Sequence, residues 1–353
     1  MIENDLRAAF ARLEALTPPT GPVRTAIERT VGRRRRRRFR LRLGGTALAL
    51  VAAALAGFTA IAPSSPETPQ LLGEPSSSAT PTGALNVLLV GIDSTSDQRS
   101  PLADSVLVVH IPADRSRPYL VSLPRDLEVD IPGLHQDKLN AAFYHGAGSG
   151  PADLSRGYDL IGRTVTGLTG VRLDGGAVLT YPALRKVTDV LGGVELCLPQ
   201  KITSAHTRRV FPAGCQRLDG AASVDLLRQR RGLSDGGLDR DRNAQRFAAG
   251  LVRRAEAQDV LRDPLRLSRL IAEVGPELTV AGDSVLDLLR VVPELASVEP
   301  VGLSLPVEVL EGEGPTWRLR ADPKTAPAFL AAFREDRLAE WAAANPDRVT
   351  PIR

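Results

Sequence analysis

Two cysteines, four scattered histidines and a single methionine stand in a chain of 353 residues. No Cys/His grouping has zinc-site spacing, which removes a zinc module from consideration. No internal repeat is present. An excess of positive charge is also missing over most of the chain, although the formal net charge is +4. Residues 1–43 hold twelve arginines against four acidic residues, whereas the remainder holds 33 Lys and Arg against 37 Asp and Glu. The basic character therefore belongs to an N-terminal arm, and no nucleic-acid partner is expected. What the chain does have is 43% hydrophobic residues, enough for a substantial buried core and against global disorder.

Long apolar runs are limited to one. RRRRRR (Arg33 to Arg38) and FRLR lead into LGGTALALVAAALAGFTAIA, Leu43 to Ala62, which carries no charge. Twenty apolar residues suffice for a helix to cross about 30 Å of hydrocarbon. Arginine on the N-terminal side alone predicts a single-pass cell-membrane protein with residues 1–42 in the cytoplasm and the chain after residue 62 outside. Ala60-Ile61-Ala62 has the pattern of a signal-peptidase site, but Pro63 obstructs it and the leader is long. The segment reads as an uncleaved anchor. Residues 63–84, rich in Pro, Ser and Thr, read as an extended tether. Beyond it, Cys197 and Cys215 share an extracytoplasmic domain and are expected to form a disulfide.

From Leu85 to about residue 345, strand-like and helix-like segments alternate. NVLLVGID, SVLVVHI and PYLVSL have the apolar character of buried strands. Helical character follows at Leu154 to Leu168, after Ala221 and near Ala326 to Ala344. This order predicts an α/β fold, an α-β-α sandwich with a central mixed sheet, preceded by one transmembrane helix.

The ends of the apolar strands are polar. Asp93 closes the first, Asp104 opens the second and Arg125 follows the third. If the first two strands pair antiparallel, Asp93 and Asp104 face each other and Arg125 reaches the same edge. Two adjacent carboxylates call for a cation, and hard oxygen ligands favour Mg²⁺ (or Mn²⁺). The guanidinium fork of Arg125 suits phosphate. LLRQRRG adds Arg228, Arg230 and Arg231, and GGLDRDRNAQRF adds Arg240, Arg242 and Arg246. Together they describe either a solvated charged helix or a pocket for a polyanionic group.

The order NVLLVGID, ADSVLVVHI, VSLPRDLEVDIPG, DKLNAAFYHG, VTDVLGGVELCLP, FPAGCQRLDGAASVDLLRQR, LDRDRNAQRF resembles the LytR–CpsA–Psr family over Leu85 to Ala257. The Cys pair suits its actinobacterial branch. The resemblance implies a membrane-anchored transferase that moves a glycopolymer from a polyprenyl-pyrophosphate carrier to peptidoglycan, leaving a phosphodiester link, with pyrophosphate cleavage as a side activity. It implies Asp93 and Asp104 as magnesium-side carboxylates, Asp104 and Arg125 as catalytic, and Arg125, Arg228, Arg230 and Arg240 as pyrophosphate ligands. It also implies an apolar tunnel for the lipid tail. The base for the acceptor hydroxyl is left between Asp104 and Asp93.

Two positions depart from the family pattern. Leu102 stands where an arginine is usual, with Arg99 nearby in sequence, and Gly237 stands where an aspartate is common, between Asp235 and Asp239. DRDRNAQ also lacks the usual Arg-Gln pair in register. These departures keep a second reading open, a wall-associated protein that binds polyprenyl-phosphate lipids and catalyses poorly. A membrane-tethered transcriptional attenuator finds no DNA-binding motif in the 42-residue arm.

Overall fold

A computed structural model describes residues 82–93, 101–148, 152–261, 263–275, 278–281, 298–310 and 318–352. The basic arm, the apolar segment 43–62, most of the tether and Arg99 lie outside the described residues. Among those described, no helix is long and apolar enough to cross a membrane.

The strands in chain order are β1 (Leu85–Ile92), β2 (Ala103–Ile111), β3 (Tyr119–Ser122), β4 (Glu128–Asp130), β5 (Gln136–Lys138), β6 (Gly175–Thr180) and β7 (Val194–Leu198). They continue with β8 (Ile202–Thr203), β9 (Val210–Phe211), β10 (Gly214–Leu218), β11 (Leu278–Ala281), β12 (Val301–Ser304), β13 (Val307–Leu310), β14 (Arg318–Ala321) and β15 (Val349–Thr350). The helices are α1 (Leu139–Ala147), α2 (Leu154–Thr169), α3 (Tyr181–Val190), α4 (Gly220–Arg228), α5 (Gly237–Ala257), α6 (Pro264–Val274), α7 (Ala326–Arg334) and α8 (Leu338–Ala344).

Seven strands form one sheet in the order β11-β6-β1-β2-β3-β12-β15. The sheet is mixed: β1 pairs antiparallel with β2 and parallel with β6, and β3 pairs parallel with β12. Alternation along each strand divides its side chains between two cores. Leu88, Val90, Val106, Val108 and Val121 pack with Phe143 of α1, Ile161 of α2 and Phe329 of α7. Leu107 and Leu120 point the other way, against Ala249 of α5 and Ile352. Helices thus cover both faces. The sheet continues past residue 345, because β15 pairs with β12 at one edge.

A smaller core, with Val194, Leu196, Phe211 and Leu226, lies beneath a hairpin arm in which β7 pairs with β10 and β8 with β9. Cys197 and Cys215 are directly opposite in the β7–β10 register and are joined by a disulfide. Gly192 and Gly193 of LGGVE have φ of 69° and 92°, which favours glycine at the turn from α3 into β7. The terminal helical stretch is two helices rather than one. It breaks at Asp336, where φ is 56°.

Candidate active site

A β-bulge aims Asp104. In β2, Ser105 pairs with Gly91 and Ala103 with Ile92, so Asp104 is the extra residue. Strict alternation would put Asp104 on the same face as Val106 and Val108, inside the main core. The bulge turns it instead to the face where Leu107 lies, next to α5. Asp93 follows the last residue of β1 at the same edge, so the antiparallel pairing of β1 with β2 brings both carboxylates into one pocket of about 570 Å³.

Five guanidiniums, those of Arg125, Arg228, Arg230, Arg231 and Arg240, line that pocket with them. Arg125, just past β3, donates Nη1 to Asp104 Oδ1. Arg228, the last residue of α4, donates Nη2 to Asp93 Oδ2 at 3.0 Å. Arg230 brings Nη2 to 3.6 Å from Asp104 Oδ1. Arg240, in the first turn of α5, is only 3% exposed and donates Nη2 to Asp241 Oδ1 at 2.9 Å. Burial opposes its charge, but Asp241 outweighs that and holds the guanidinium above its usual range. Among the described residues, Nε and Nη1 of Arg240 and Nε of Arg125 have no hydrogen-bond partner, although Arg125 Nε lies 3.6 Å from Asp126 Oδ2. A buried donor left unmet costs about 1–3 kcal/mol, more when charged. These donors fit an anion.

Tyr181 completes the edge, and the sequence reading passed over it. β6 runs parallel to β1 and ends at Thr180, opposite Ile92. The Thr180 hydroxyl caps α3 by accepting the Ala183 N–H, and Pro182 suits the first helical turn. This junction carries Tyr181 to the edge where Asp93 lies. Its hydroxyl donates to Asp104 Oδ2 at 2.9 Å, and the Arg228 guanidinium carbon lies 5.4 Å from the centre of its ring. Burial, then the charge of Asp104 and the bond to it, push the phenol far above its usual range, so it remains a donor.

Beneath the polar pocket is an apolar cavity of about 110 Å³ that shares Asp104, Tyr181 and Arg240 as its polar rim. Leu89, Leu107 and Leu179 form its sheet side, and Ala244, Phe247 and Ala248 of α5 form the other. Alanines one helical turn apart, facing leucines, leave the space.

All six pocket candidates therefore meet, but other residues of the arginine-rich segment do not. Arg242 bonds Asp235 and Asp239 at 2.7 and 2.6 Å, and Arg246 bonds Asn243 and the Pro351 carbonyl. Leu102, 44% exposed, precedes β2, and a side chain added at Gly237 would meet open space. Asp241 and His206 join Tyr181 as residues that the strand-end reasoning did not find.

The described residues thus form an α/β domain with an arginine-lined pocket above an apolar cavity. Residues 59–305 match the LytR_cpsA_psr family, and the chain belongs to it. It is 32% identical over 231 residues to the probable cell wall biosynthesis protein LcpB of Corynebacterium glutamicum, covering 61% of this chain and 53% of that protein. It is 27% identical over 267 residues to the cell wall biosynthesis protein LcpA of the same organism, covering 66% and 52%. The chain thus spans about half the length of these two relatives. The crystal structure of Bacillus subtilis TagV has the same fold, with a TM-score of 0.60 at 18% identity, covering 73% of this chain and 98% of that one. TagT bound to LI-WTA gives 0.58 at 20%, covering 72% and 90%.

Proposed function

We propose that the chain is a phosphotransferase that moves a glycopolymer from a polyprenyl-pyrophosphate carrier onto peptidoglycan through a phosphodiester link. The observation that carries this reading is the junction of two environments: arginine donors unmet among the described residues, directly above an apolar cavity, with Arg240 in both. A polyprenyl pyrophosphate has the same division into anion and hydrocarbon. A relative of 26% identity from Oceanobacillus iheyensis, covering 66% of this chain and 68% of that protein, is a polyisoprenyl-teichoic acid–peptidoglycan teichoic acid transferase. It supports this reaction class.

In this reading Arg125, Arg228, Arg230 and Arg240 hold the pyrophosphate and stabilise the charge that grows on the departing phosphate. Asp104 orients Arg125. The donor set fits Mg²⁺: among the described residues no cluster of three or more His, Cys, Asp or Glu exists, but this ion needs only one or two carboxylates, here Asp93 and Asp104, beside water and substrate phosphate. Bound there, it would withdraw charge from phosphate oxygens. The segment 43–62 would anchor the chain in the membrane, with the pocket outside and the lipid tail supplied from the bilayer.

The test uses the full chain in detergent, a polyprenyl-pyrophosphate disaccharide and peptidoglycan oligomers, with and without Mg²⁺. Mass spectrometry finds the phosphodiester product with Mg²⁺ and loses it in Arg125→Ala and Asp104→Ala. Donor binding without product from the parent chain would leave a lipid-binding protein instead.

A further inference from the structure

The outer rim of the pocket is a surface turn with a buried foundation. Between β8 and β9 the chain passes through Ser204 to Arg209, and His206 of this turn lines the pocket. Residues 205–209 are exposed, whereas Ser204 is only 1% exposed. The Ser204 hydroxyl oxygen accepts the N–H groups of His206 and Thr207 at 3.0 and 3.1 Å and donates to Asp225 Oδ1 at 2.6 Å. Thr207 donates its hydroxyl to the other oxygen of Asp225. Gln229, fully buried, accepts the Ala205 N–H at 2.9 Å and donates to the Arg231 carbonyl. Asp225 and Gln229 belong to α4 and its C-terminal cap, the segment that presents Arg228 and Arg230. A buried carboxylate and a buried amide thus fix the turn against the arginines.

Transfer to a sugar hydroxyl needs a proton acceptor. Asp104 is committed on both oxygens, to Arg125 and to Tyr181. Asp93 is paired with Arg228, and Tyr181 is itself a donor. Among the ionisable residues that line the pocket, His206 is the one that is neither arginine nor engaged in this way. It also stands on the side from which an acceptor must come. The apolar cavity underlies Asp104, Tyr181 and Arg240, so a lipid-bound donor enters from that side, and peptidoglycan approaches from solvent across the rim.

We infer that His206 is the general base that takes the proton from the acceptor hydroxyl, an inference that rests on the transferase reading. The hydroxyl oxygen forms a bond to the glycan-bearing phosphorus, and its proton passes to an imidazole nitrogen of His206. The bridging P–O bond breaks, and its electron pair leaves on the polyprenyl phosphate. Ser204 and Asp225 are positioning residues. The charged groups that share the pocket with the imidazole are the carboxylates of Asp93 and Asp104 and the five guanidiniums of Arg125, Arg228, Arg230, Arg231 and Arg240; Arg208 and Arg209 flank it in the turn.

The test compares the full parent chain with His206→Gln and His206→Ala in the transfer assay, alongside donor affinity. Both variants transfer about a hundredfold or more slowly, within the usual range for loss of a general base, while donor Kd stays within twofold. Added imidazole restores part of the rate of His206→Ala. Variants within threefold of the parent rate would overturn the base alone. A parent chain that gives no product overturns the transferase reading and the base together.

Discussion

The hydroxyl of Tyr181 donates to Oδ2 of Asp104 across 2.9 Å, joining the start of α3 to the bulge of β2. Arg125 takes the other carboxylate oxygen, so Asp104 is held from both sides. A hydrogen bond to a charged group contributes about 1.5–3 kcal/mol. If that contribution is realised in the transition state, Tyr181→Phe lowers kcat about tenfold to a hundredfold with KM nearly unchanged. Steady-state kinetics with a short-chain donor checks this. A change confined to KM would mean that the ring, and not the hydroxyl, matters.

Arg240 and Asp241 form a buried pair, each at most 6% exposed in the side chain. Removing one partner leaves the other charge buried, at a cost of about 3–5 kcal/mol. Arg240→Met therefore unfolds at markedly lower urea concentration, and adding Asp241→Asn recovers part of the loss. Donor affinity stays weak in both variants, because the guanidinium is gone from each. If the double variant regained donor binding, Arg240 would be a structural residue only.

The apolar cavity is small for its proposed task. At about 110 Å³ it is below the roughly 150 Å³ of an engineered cavity that admits benzene. In the transferase reading a polyprenyl tail would have to part α5 from the sheet, with the side chains at the seam controlling how readily it does so. Ala248→Leu fills the space, at an overpacking cost of about 1–3 kcal/mol. Affinity for a long-chain donor falls at least tenfold, whereas a donor with one isoprene unit binds as before. Isothermal titration with both donors distinguishes the outcomes; equal losses would place the lipid elsewhere.

The strand ends were legible in the sequence because nearly continuous apolar runs are bounded by Asp93, Asp104 and Arg125. Antiparallel pairing of neighbours then brings them together. The bulge at Asp104 was not legible, since it depends on the partner strand's register and not on the composition of ADSVLVVHI. Tyr181 was hidden for a related reason. It stands where a strand becomes a helix, and only the parallel pairing of β6 with β1 places that junction at the same edge as Asp93. His206 lies on an arm whose approach to the pocket is set by Asp225 and Gln229, distant in sequence from the turn itself. For Arg242 and Arg246 the sequence left a solvated charged helix and a cationic pocket both open, and their bonds to Asp235, Asp239, Asn243 and the Pro351 carbonyl show that neither reaches the pocket.

Cys197 and Cys215 hold the base of that arm, and their removal separates its stability from its role at the pocket. Their loop entropy corresponds to about 3 kcal/mol. The double variant Cys197→Ser, Cys215→Ser lowers the urea midpoint accordingly, and the slope rises slightly because the freed unfolded chain exposes more surface. Under native conditions the β7–β10 ladder and the Ser204–Asp225 bonds still fix the turn, so donor affinity stays within about twofold, while transfer falls only as far as the arm loosens. Reducing the parent chain with dithiothreitol gives the same result without mutation. Loss of donor binding on reduction, before any unfolding, would contradict this picture and make the disulfide part of the pocket's own architecture.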